Sequence, residues 1–575
     1  MKAPKRKIPQ ATPTSPRQTV QARLPNGALY QASVGAPIET FIAQALADRV
    51  LDPSIPVVAA LVNGRLCELT YTLHTDADLS PIPVTSGDGT RIYQRSLCFL
   101  LVTAVRQLFP EARIVIDHSL TAGGLFCTVQ GREPFSLDEL ARIEKRMQEI
   151  AHQDEPITKR RIPLDQARAL FENQGYQDKV RLLKYRRKDY LTVYSLCGTE
   201  DYFYGYMVPS AGYVKWFDLK HYPPGFILRY PLSSRPQEMP AFRDSPRLAT
   251  VFREYGQWLQ LMEVDSVSGL NRAIEDGRIR ELILVAEALH EQRIAHIARD
   301  IAARHKDVRL VLIAGPSSSG KTTFVKRLAV QLLANGIRPV VIGMDDYFVE
   351  RHLTPRTANG EYDYESLTAL DLALFNEHLL QLMAYQSVAL PHYNFHTGRR
   401  DQGHTISLRP DQIILAEGIH GLNPKLVPAI PAERIYRVYV SALTNLNIDH
   451  HNRVPTTDTR LLRRLIRDAA YRGYSAQETI DRWASVRRGE GQNIFPFQEH
   501  ADAIFNSALA YELAVLKPFA EPLLRQVEPG TMNHIEAKRL LAFLQWFLPC
   551  EPEPIPDNSI LREFIGGSIL RDYSP

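Results

Sequence analysis

"LVLIAGPSSSGKTTFVKRL" occupies residues 310–328 and joins an apolar run to a glycine- and serine-rich turn that ends in lysine and two threonines. Every position of the pattern G-x-x-x-x-G-K-[ST] is matched, by Gly315, Pro316, Ser317, Ser318, Ser319, Gly320, Lys321 and Thr322. The context is the required one, because an apolar strand precedes the glycines and a helical pattern follows them. The stretch predicts a parallel α/β sheet whose first loop binds phosphate groups.

The residues of this loop have separable roles in holding a triphosphate. Glycines let backbone N–H groups turn toward phosphate oxygens, and the N-terminus of the following helix adds a partial positive charge. Lys321 is expected to reach the β- and γ-phosphates, and the Thr322 hydroxyl is expected to bind Mg²⁺. With Thr323 in the first helical turn, residues 315–323 form the predicted cofactor site. The predicted cofactors are therefore ATP and Mg²⁺.

Two later apolar segments end in carboxylates. "RPVVIGMDDYF" ends in Asp345 and Asp346, and "DQIILAEGIHGLN" carries Glu417. The carboxyl ends of parallel strands line the edge at which α/β sheets bind ligands. A carboxylate of the first segment can accept the proton of an attacking hydroxyl, a role worth about 10²–10⁴ in rate, whereas its neighbour could cap the next helix. Glu417 is predicted to hold the metal, directly or through water.

An arginine-rich segment, "NRVPTTDTRLLRRLIRDAAYRG", follows further along the chain. On a helix, Arg460, Arg463, Arg464 and Arg467 fall on neighbouring turns and form a positive face. Beside a phosphate loop we interpret this face as a lid whose guanidinium groups neutralise the transferring phosphoryl group, an effect worth about 10³–10⁵ in turnover. Arg463 and Arg467 are the predicted catalytic arginines, and an ordinary solvated surface is the alternative.

Length and composition limit the remaining possibilities. A chain of 575 residues is too long for one hydrophobic core, so three or four domains are expected. The longest uncharged apolar run, residues 96–105, is about half the length needed to cross a bilayer, so no membrane association is predicted. The net charge of +4 is small for this length. Nucleic-acid binding therefore remains open locally but is not implied by the chain as a whole.

Neither the cysteines nor the N-terminus indicates export. The five cysteines, at positions 67, 98, 127, 197 and 550, contain no C-x-x-C pair, so neither a disulfide framework nor a zinc ribbon is expected. Residues 1–18 are basic and proline-rich without an apolar stretch, and we predict a disordered tail rather than a secretory signal. The expected location is the cytoplasm.

The pattern along the chain divides it into further units. Residues 19–84 read as a small β-rich domain with an Asn-Gly hairpin turn in "VVAALVNGRLCEL". Residues 85–231 read as an α+β domain whose first helix is predicted at residues 93–109. Apolar residues at spacings of three and four predict a helical linker over residues 232–305. Strand and helix patterns then alternate through residues 306–525, and residues 526–575 are a C-terminal extension.

The second half of the chain resembles the uridine kinase and phosphoribulokinase branch of the P-loop kinases. The resemblance rests on the phosphate loop, "DDYF", "YDYE", "PHYNF", "AEGIHGLN" and "DTRLLRRLIRD". It implies that Asp345 is the general base, that Asp363 binds a ribose, and that Tyr393 lies beside the base. Residues 460–472 match the lid, with Arg460 and Arg472 as substrate contacts. Asn394 and Gly398 replace the aspartate and histidine usual in uridine kinases, and His396 lies nearby.

The first half resembles a different family. Residues 19–84 look like a TGS domain, the β-grasp module of threonyl-tRNA synthetase and some GTPases, and residues 85–231 look like the second additional domain of that synthetase. The editing site of that domain uses an H-x-x-x-H pair and a C-x-x-x-H pair. The matching positions here are Arg95, Phe99, Phe203 and Met207. None of these can supply an imidazole or a thiolate, so hydrolytic editing and a zinc site are not expected.

Together these resemblances imply an α/β P-loop kinase preceded by a β-grasp domain and an α+β synthetase-like domain. The expected reaction is transfer of the ATP γ-phosphoryl group to the 5′-hydroxyl of a nucleoside, with uridine or cytidine first. Two alternatives stay open: a kinase of another sugar or phosphosugar, and an RNA-binding regulator with an ATP-driven switch. The front domains could also support a homo-oligomer or close over the kinase cleft.

Overall fold

A five-stranded sheet with one packed helix forms the N-terminal unit. The computed structural model describes residues 17–120, 123–357, 360–395 and 397–573, so most of the predicted disordered tail lies outside the described residues. The elements of this unit are β1 (Thr19–Arg23), β2 (Leu29–Ser33), α1 (Ile38–Ala47), β3 (Val57–Val62), β4 (Arg65–Glu68) and β5 (Ala77–Pro83). The strand order is β2-β1-β5-β3-β4. Val62 pairs with Arg65 across Asn63 and Gly64, which confirms the predicted hairpin.

An α+β unit with two antiparallel sheets follows. Its elements are α2 (Gly87–Leu108), β6 (Arg113–Leu120), β7 (Gly124–Gln130), α3 (Leu137–His152), β8 (Thr158–Pro163), α4 (Leu164–Gln174), α5 (Gln177–Leu183), β9 (Tyr190–Leu196), β10 (Thr199–Asp201), β11 (Asp218–Tyr222) and β12 (Gly225–Arg229). The strand orders of the two sheets are β11-β12-β7-β6 and β10-β9-β8. Helix α2 begins six residues before the predicted residue 93, because the Ser86 side chain accepts a hydrogen bond from Gly89 N–H and caps it.

Three helices connect this unit to the second half: α6 (Pro246–Leu261), α7 (Val267–Glu275) and α8 (Ile279–Ala303). The apolar stripe predicted from spacing is the buried face of α8, which includes Leu282, Ile283, Ile294 and Ile297. This face packs on the helix that follows the phosphate loop, and both belong to one hydrophobic cluster that extends from Ile162 to Phe564. The segment predicted as a linker is therefore part of a continuous core shared by the front and back of the chain.

A five-stranded parallel sheet organises the second half. Its elements and those that flank it are β13 (Leu310–Ala314), α9 (Lys321–Ala334), β14 (Arg338–Gly343), α10 (Leu372–Met383), β15 (Val388–Asn394), β16 (Arg399–Ile406), β17 (Gln412–Glu417), β18 (Ile435–Ser441), α11 (Thr456–Tyr471), α12 (Ala476–Asn493), β19 (Ala503–Asn506) and α13 (Glu512–Arg525). The strand order is β14-β17-β13-β18-β19. The predicted parallel α/β sheet is confirmed, and the three motif-bearing strands β13, β17 and β14 are neighbours. A two-stranded hairpin, β15–β16, stands beside it.

The C-terminal residues return to the middle of the molecule. They contain α14 (Met532–Leu544) and the single turn α15 (Arg562–Ile565). Ile560, Leu561 and Phe564 are fully buried in the shared cluster. Within the described residues, no helix combines the length and the apolar character that crossing a membrane requires.

Candidate active site

The phosphate loop leaves the buried strand β13 and turns into α9 at Lys321. Gly320 precedes that helix with φ of +84°, a left-handed conformation that glycine adopts without strain. At the other end of the loop, a Cβ on Gly315 would lie 1.9 Å from the Val440 carbonyl oxygen, so no side chain fits there. The buried hydroxyls of Ser318 and Ser319 have no hydrogen-bond partner among the described residues. The loop is therefore a tight cradle with unsatisfied donors, as phosphate binding requires.

Lys321, Thr322 and Glu417 meet at the edge of the sheet. Lys321 Nζ donates to the Pro316 carbonyl oxygen at 3.2 Å, and the Thr322 hydroxyl donates to Glu417 Oε1 at 3.0 Å. Burial lowers the pKa of Lys321, while the charges of Glu417 and Asp345 oppose that shift. Burial raises the pKa of Glu417 to about 7. The three predicted residues are thus brought together.

The donor set at this edge fits Mg²⁺. Glu417 Oε2 is buried without a hydrogen-bond partner among the described residues, and it lies on the carboxylate that already contacts the Thr322 hydroxyl. No group of three or more His, Cys, Asp or Glu side chains in the described residues could hold a metal alone. Magnesium usually binds through one or two protein oxygens together with substrate phosphates and water. Thr322 and Glu417 would hold it in that way.

The two aspartates that follow β14 have different surroundings. Asp346 Oδ1 accepts the Tyr393 N–H at 3.2 Å and lies 3.1 Å from His392 Nδ1, so Asp346 supports the hairpin. The Asp345 carboxylate is exposed to solvent and has no hydrogen-bond partner among the described residues. Surrounding protein atoms raise the pKa of Asp345, against the opposing charges of Lys321 and Arg472. Asp345 is the one of the pair available to a substrate.

Two predicted arginines of α11 require correction. Arg460 is 1% exposed and its Nη2 donates to Glu490 Oε2 at 2.8 Å. Arg463 is fully buried and its Nε donates to Glu512 Oε2 at 2.7 Å. Both also approach the back of the phosphate loop, Arg460 through the Ser317 carbonyl oxygen at 3.1 Å. Arg463 is therefore not a mobile catalytic arginine, and Arg460 does not face a substrate, because each is fixed in a buried ion pair that supports the loop.

Three further arginines of this segment gather around one buried aspartate. Asp468 is 1% exposed and pairs with all three, Arg464 at 3.2 Å, Arg467 at 2.9 Å and Arg472 at 3.7 Å. Arg472 and Arg467 are among the cations that oppose the raised pKa of Asp345. The positive face predicted from sequence is thus divided. Arg460 and Arg463 are buried behind the phosphate loop, whereas Arg467 and Arg472 act on the Asp345 carboxylate.

Of the predicted acceptor residues, Tyr393 belongs to an aromatic cluster. Tyr393 is 2% exposed, with its ring centroid 5.6 Å from that of Phe348 and 5.0 Å from that of Phe395. Asp363 Oδ1 accepts the Glu365 N–H at 3.2 Å. Direct contacts of Asp363 and Tyr393 with a substrate stay predictions, and His396 lies outside the described residues.

Sequence reasoning missed four glutamates around the loop. Glu490 and Glu512 neutralise the buried arginines, and Glu490 Oε1 also accepts the Ser317 N–H at 3.0 Å. Burial raises the pKa of Glu365 to about 7, with the charges of Glu490 and Asp345 adding to the shift. Glu563 contacts Thr323. No local pattern marks Glu490, Glu512 or Glu563, because each reaches the loop from a distant part of the chain, whereas Glu365 belongs to the "YDYE" motif and had no role assigned to it.

The four positions that match the synthetase editing site form no catalytic group. Phe99 and Phe203 pack with ring centroids 5.2 Å apart, and Met207 is 1% exposed in the same cluster. Arg95 Nη1 donates to the Tyr206 carbonyl oxygen at 2.6 Å. Three of these side chains thus pack in the core of this unit, and the fourth donates to a backbone carbonyl oxygen.

Three comparisons relate parts of the chain to known proteins. Residues 310–513 match the model of the Phosphoribulokinase / Uridine kinase family. A possible uridine kinase from Bacillus stearothermophilus has 32% identity over 26% of this chain and 79% of its own, with a TM-score of 0.22. The D-glycerate 3-kinase from Cryptococcus neoformans has 16% identity over 37% of this chain and 89% of its own, with a TM-score of 0.28.

The N-terminal region matches a different enzyme. The threonine–tRNA ligase of Burkholderia vietnamiensis is 33% identical over 208 residues, which are 35% of this chain and 31% of the ligase. The chain therefore spans about a third of the length of the curated relatives it matches. The comparisons place a kinase-type region behind a threonyl-tRNA synthetase-like region in one polypeptide.

Proposed function

We propose that the protein is an ATP- and Mg²⁺-dependent phosphotransferase that phosphorylates the 5′-hydroxyl of a ribonucleoside, with uridine or cytidine as the first candidates. The observation that carries this proposal is the meeting of Lys321, the Thr322–Glu417 pair and an accessible Asp345 at one edge of the parallel sheet. A nucleotide-driven switch needs Lys321, Thr322 and Glu417 to hold the nucleotide and Mg²⁺. It does not need an unpaired carboxylate beside them. A carboxylate there can take a proton from a hydroxyl.

The residues of this chain divide the work of the transfer. The loop N–H groups and Lys321 bind and orient the β- and γ-phosphates. Mg²⁺ held by Thr322 and Glu417 would supply charge neutralisation at those phosphates. Asp345 accepts the proton of the acceptor hydroxyl, and its raised pKa improves its capacity to hold that proton. Arg467 and Arg472 offset the negative charge that accumulates beside it, and closure around them excludes water.

The acceptor class can be tested by measuring ADP release. Uridine, cytidine, the other ribonucleosides and ribulose 5-phosphate should be compared against ATP alone, with Lys321→Ala as the inactive control. We expect a pyrimidine ribonucleoside to raise the rate well above the ATP-only background. Stimulation by ribulose 5-phosphate instead would favour a sugar-phosphate kinase, and no stimulation by any nucleoside would refute the proposal.

A second candidate function, RNA binding by the front of the chain, is favoured by one cleft. It has a volume of about 1110 Å³ and lies between the N-terminal unit, the α+β unit and α14. Among the described residues, eleven arginine or lysine side chains line it against two carboxylates, and tyrosines and Trp546 are interleaved with them. No described carboxylate pairs with Arg95 on its wall. Single-stranded nucleic acid is typically bound by positively charged side chains, which contact its phosphates, and by aromatic rings, which stack on its bases.

We expect this cleft to bind a short single-stranded RNA with strong salt dependence. In a fluorescence anisotropy titration, the double variant Arg187→Glu/Lys538→Glu should weaken binding at least about tenfold, because each change replaces a phosphate-attracting charge with a repelling one. Lys145→Glu, an exposed residue of α3 away from the cleft, is the matched control. Binding should survive Lys321→Ala. Absence of binding at low salt would exclude this second function.

A further inference from the structure

The C-terminal segment, residues 552–573, reaches the phosphate loop from the far end of the chain. Ile560 is fully buried against Gly320, where a Cβ on the glycine would lie 2.5 Å from Ile560 Cγ2. Lys326 Nζ on α9 donates to the carbonyl oxygens of Leu570 at 2.6 Å and Arg571 at 2.9 Å. The segment therefore covers the beginning of the helix that must receive the nucleotide phosphates.

Within this segment, Glu563 contacts the donors of the first turn of α9. Its Oε2 accepts the Thr323 N–H at 3.2 Å and the Thr323 hydroxyl at 2.8 Å. Thr323 is the third residue after Gly320, and N–H groups at this position have no partner inside the helix. These are the donors that a phosphate-binding loop presents to its anion. A carboxylate now satisfies them in place of a phosphate oxygen.

The charge of Glu563 is also felt by the residues that handle the phosphates. Burial lowers the pKa of Lys321, and Glu563 is one of three carboxylates that oppose the shift. Burial raises the pKa of Glu417, and Glu563 adds to that increase. A triphosphate entering the same space would meet this negative charge directly. Its binding is therefore opposed for as long as the Glu563 side chain keeps its present position.

The anchoring of the segment permits the side chain to move without the backbone. Phe564, the next residue, is fully buried, with its ring centroid 5.1 Å from the Arg463 guanidinium carbon. The Ser559 hydroxyl donates to Glu287 Oε1 at 2.5 Å on the other side. Glu563 is only half-buried, and Thr323 is the one hydrogen-bond partner of its carboxylate among the described residues. A change of side-chain rotamer would free both donors.

We propose that Glu563 is a built-in competitor for the nucleotide, which occupies the Thr323 donors and must be displaced before the triphosphate binds fully. This inference rests on the proposed function, because it assigns regulation to the same phosphate site. It makes the C-terminal segment a device that lowers the affinity for ATP.

The test is the dissociation constant for ATP with Mg²⁺, measured by calorimetry on the full chain. Glu563→Gln keeps the shape and an acceptor oxygen but removes the charge, and Glu563→Ala removes both. We expect Glu563→Gln to bind ATP at least about tenfold more tightly than the parent, in line with removal of one close like charge. Glu553→Gln, an exposed residue of the same segment, should leave the constant unchanged. An unchanged or weaker affinity for both Glu563 variants would overturn the inference.

The two proposals fail separately. If no acceptor accelerates ADP release, the proposed kinase activity is refuted. If ATP binds tightly and its affinity does not change in the Glu563 variants, only the proposed competition by Glu563 is refuted.

Discussion

Asp345→Asn should lower the turnover number about 10²- to 10⁴-fold without weakening ATP binding. The amide keeps the shape of the side chain but cannot take the proton of the acceptor hydroxyl. ATP binding should not weaken, because Asp345 lies in the turn that follows β14, makes no hydrogen bond to the loop, and loses a negative charge near Lys321. The measurement is single-turnover phosphoryl transfer together with calorimetric ATP binding.

Asp346→Asn is the matched control for this prediction. Asp346 accepts the Tyr393 N–H and lies beside His392, so its replacement should affect the hairpin more than the chemistry. We expect its turnover loss to be far smaller than that of Asp345→Asn. Normal turnover in Asp345→Asn would contradict the assignment and move the general base to Asp346 or Asp363.

Lys179→Met should reduce the free energy of unfolding by about 3–5 kcal/mol, the usual effect of removing one partner from a buried ion pair. Lys179 is 2% exposed and its Nζ lies 3.0 Å from Asp201 and 3.1 Å from Asp449. Burial alone would raise the pKa of Asp201, yet Lys179 and His451 hold it at about 2. The substitution removes the lysine charge from two buried carboxylates.

The ion cluster around Lys179 joins two parts of the chain, so the loss of stability should extend to the second half. Asp201 belongs to β10 of the front unit, whereas Asp449 lies in the loop between β18 and α11. The Ile116 N–H of β6 donates to the His450 carbonyl oxygen at 2.8 Å in the same loop. Lys179→Met should therefore also loosen the helix that carries Arg467, and activity should be lost at a lower urea concentration than in the parent.

Lys184→Met provides the control for charge removal. Lys184 pairs with Glu275 at 2.6 Å, but its side chain is 63% exposed, and an exposed pair contributes about 0–1 kcal/mol. Urea unfolding followed by circular dichroism should show a large midpoint shift for Lys179→Met and almost none for Lys184→Met. Equal small shifts of the urea midpoint in both variants would contradict this account.

The contribution of the ionised Asp201 carboxylate to stability depends on pH. It is present above the pKa of an ordinary aspartate, about 4, and is lost as pH falls toward 2.

Local sequence patterns were sufficient for the parts of the site that follow one another in the chain. The phosphate loop, the Asn63–Gly64 hairpin and the carboxylates at strand ends depend on neighbouring residues or on strand direction alone. These features are therefore readable without tertiary information. The same holds for the buried stripe of α8, whose spacing is set by the helical repeat.

Features that depend on distant segments were not readable. The spacing of Arg460 and Arg463 correctly places them on one face of α11, but it does not reveal Glu490 and Glu512, which bury that face behind the loop. The contact of Glu563 with Thr323 spans 240 residues. A periodic pattern reports which side chains share a face and gives no information about which distant carboxylate will cover it.

The central claim is tested most directly by identifying the product formed from ATP, Mg²⁺ and a nucleoside. Phosphorus NMR of the reaction with uridine or cytidine should show a new 5′-phosphomonoester that appears in equal amount with ADP. The same mixture with Asp345→Asn should show almost none over the same time. ADP formed without any phosphomonoester, or a phosphate on another class of acceptor only, would contradict the assignment of a ribonucleoside kinase.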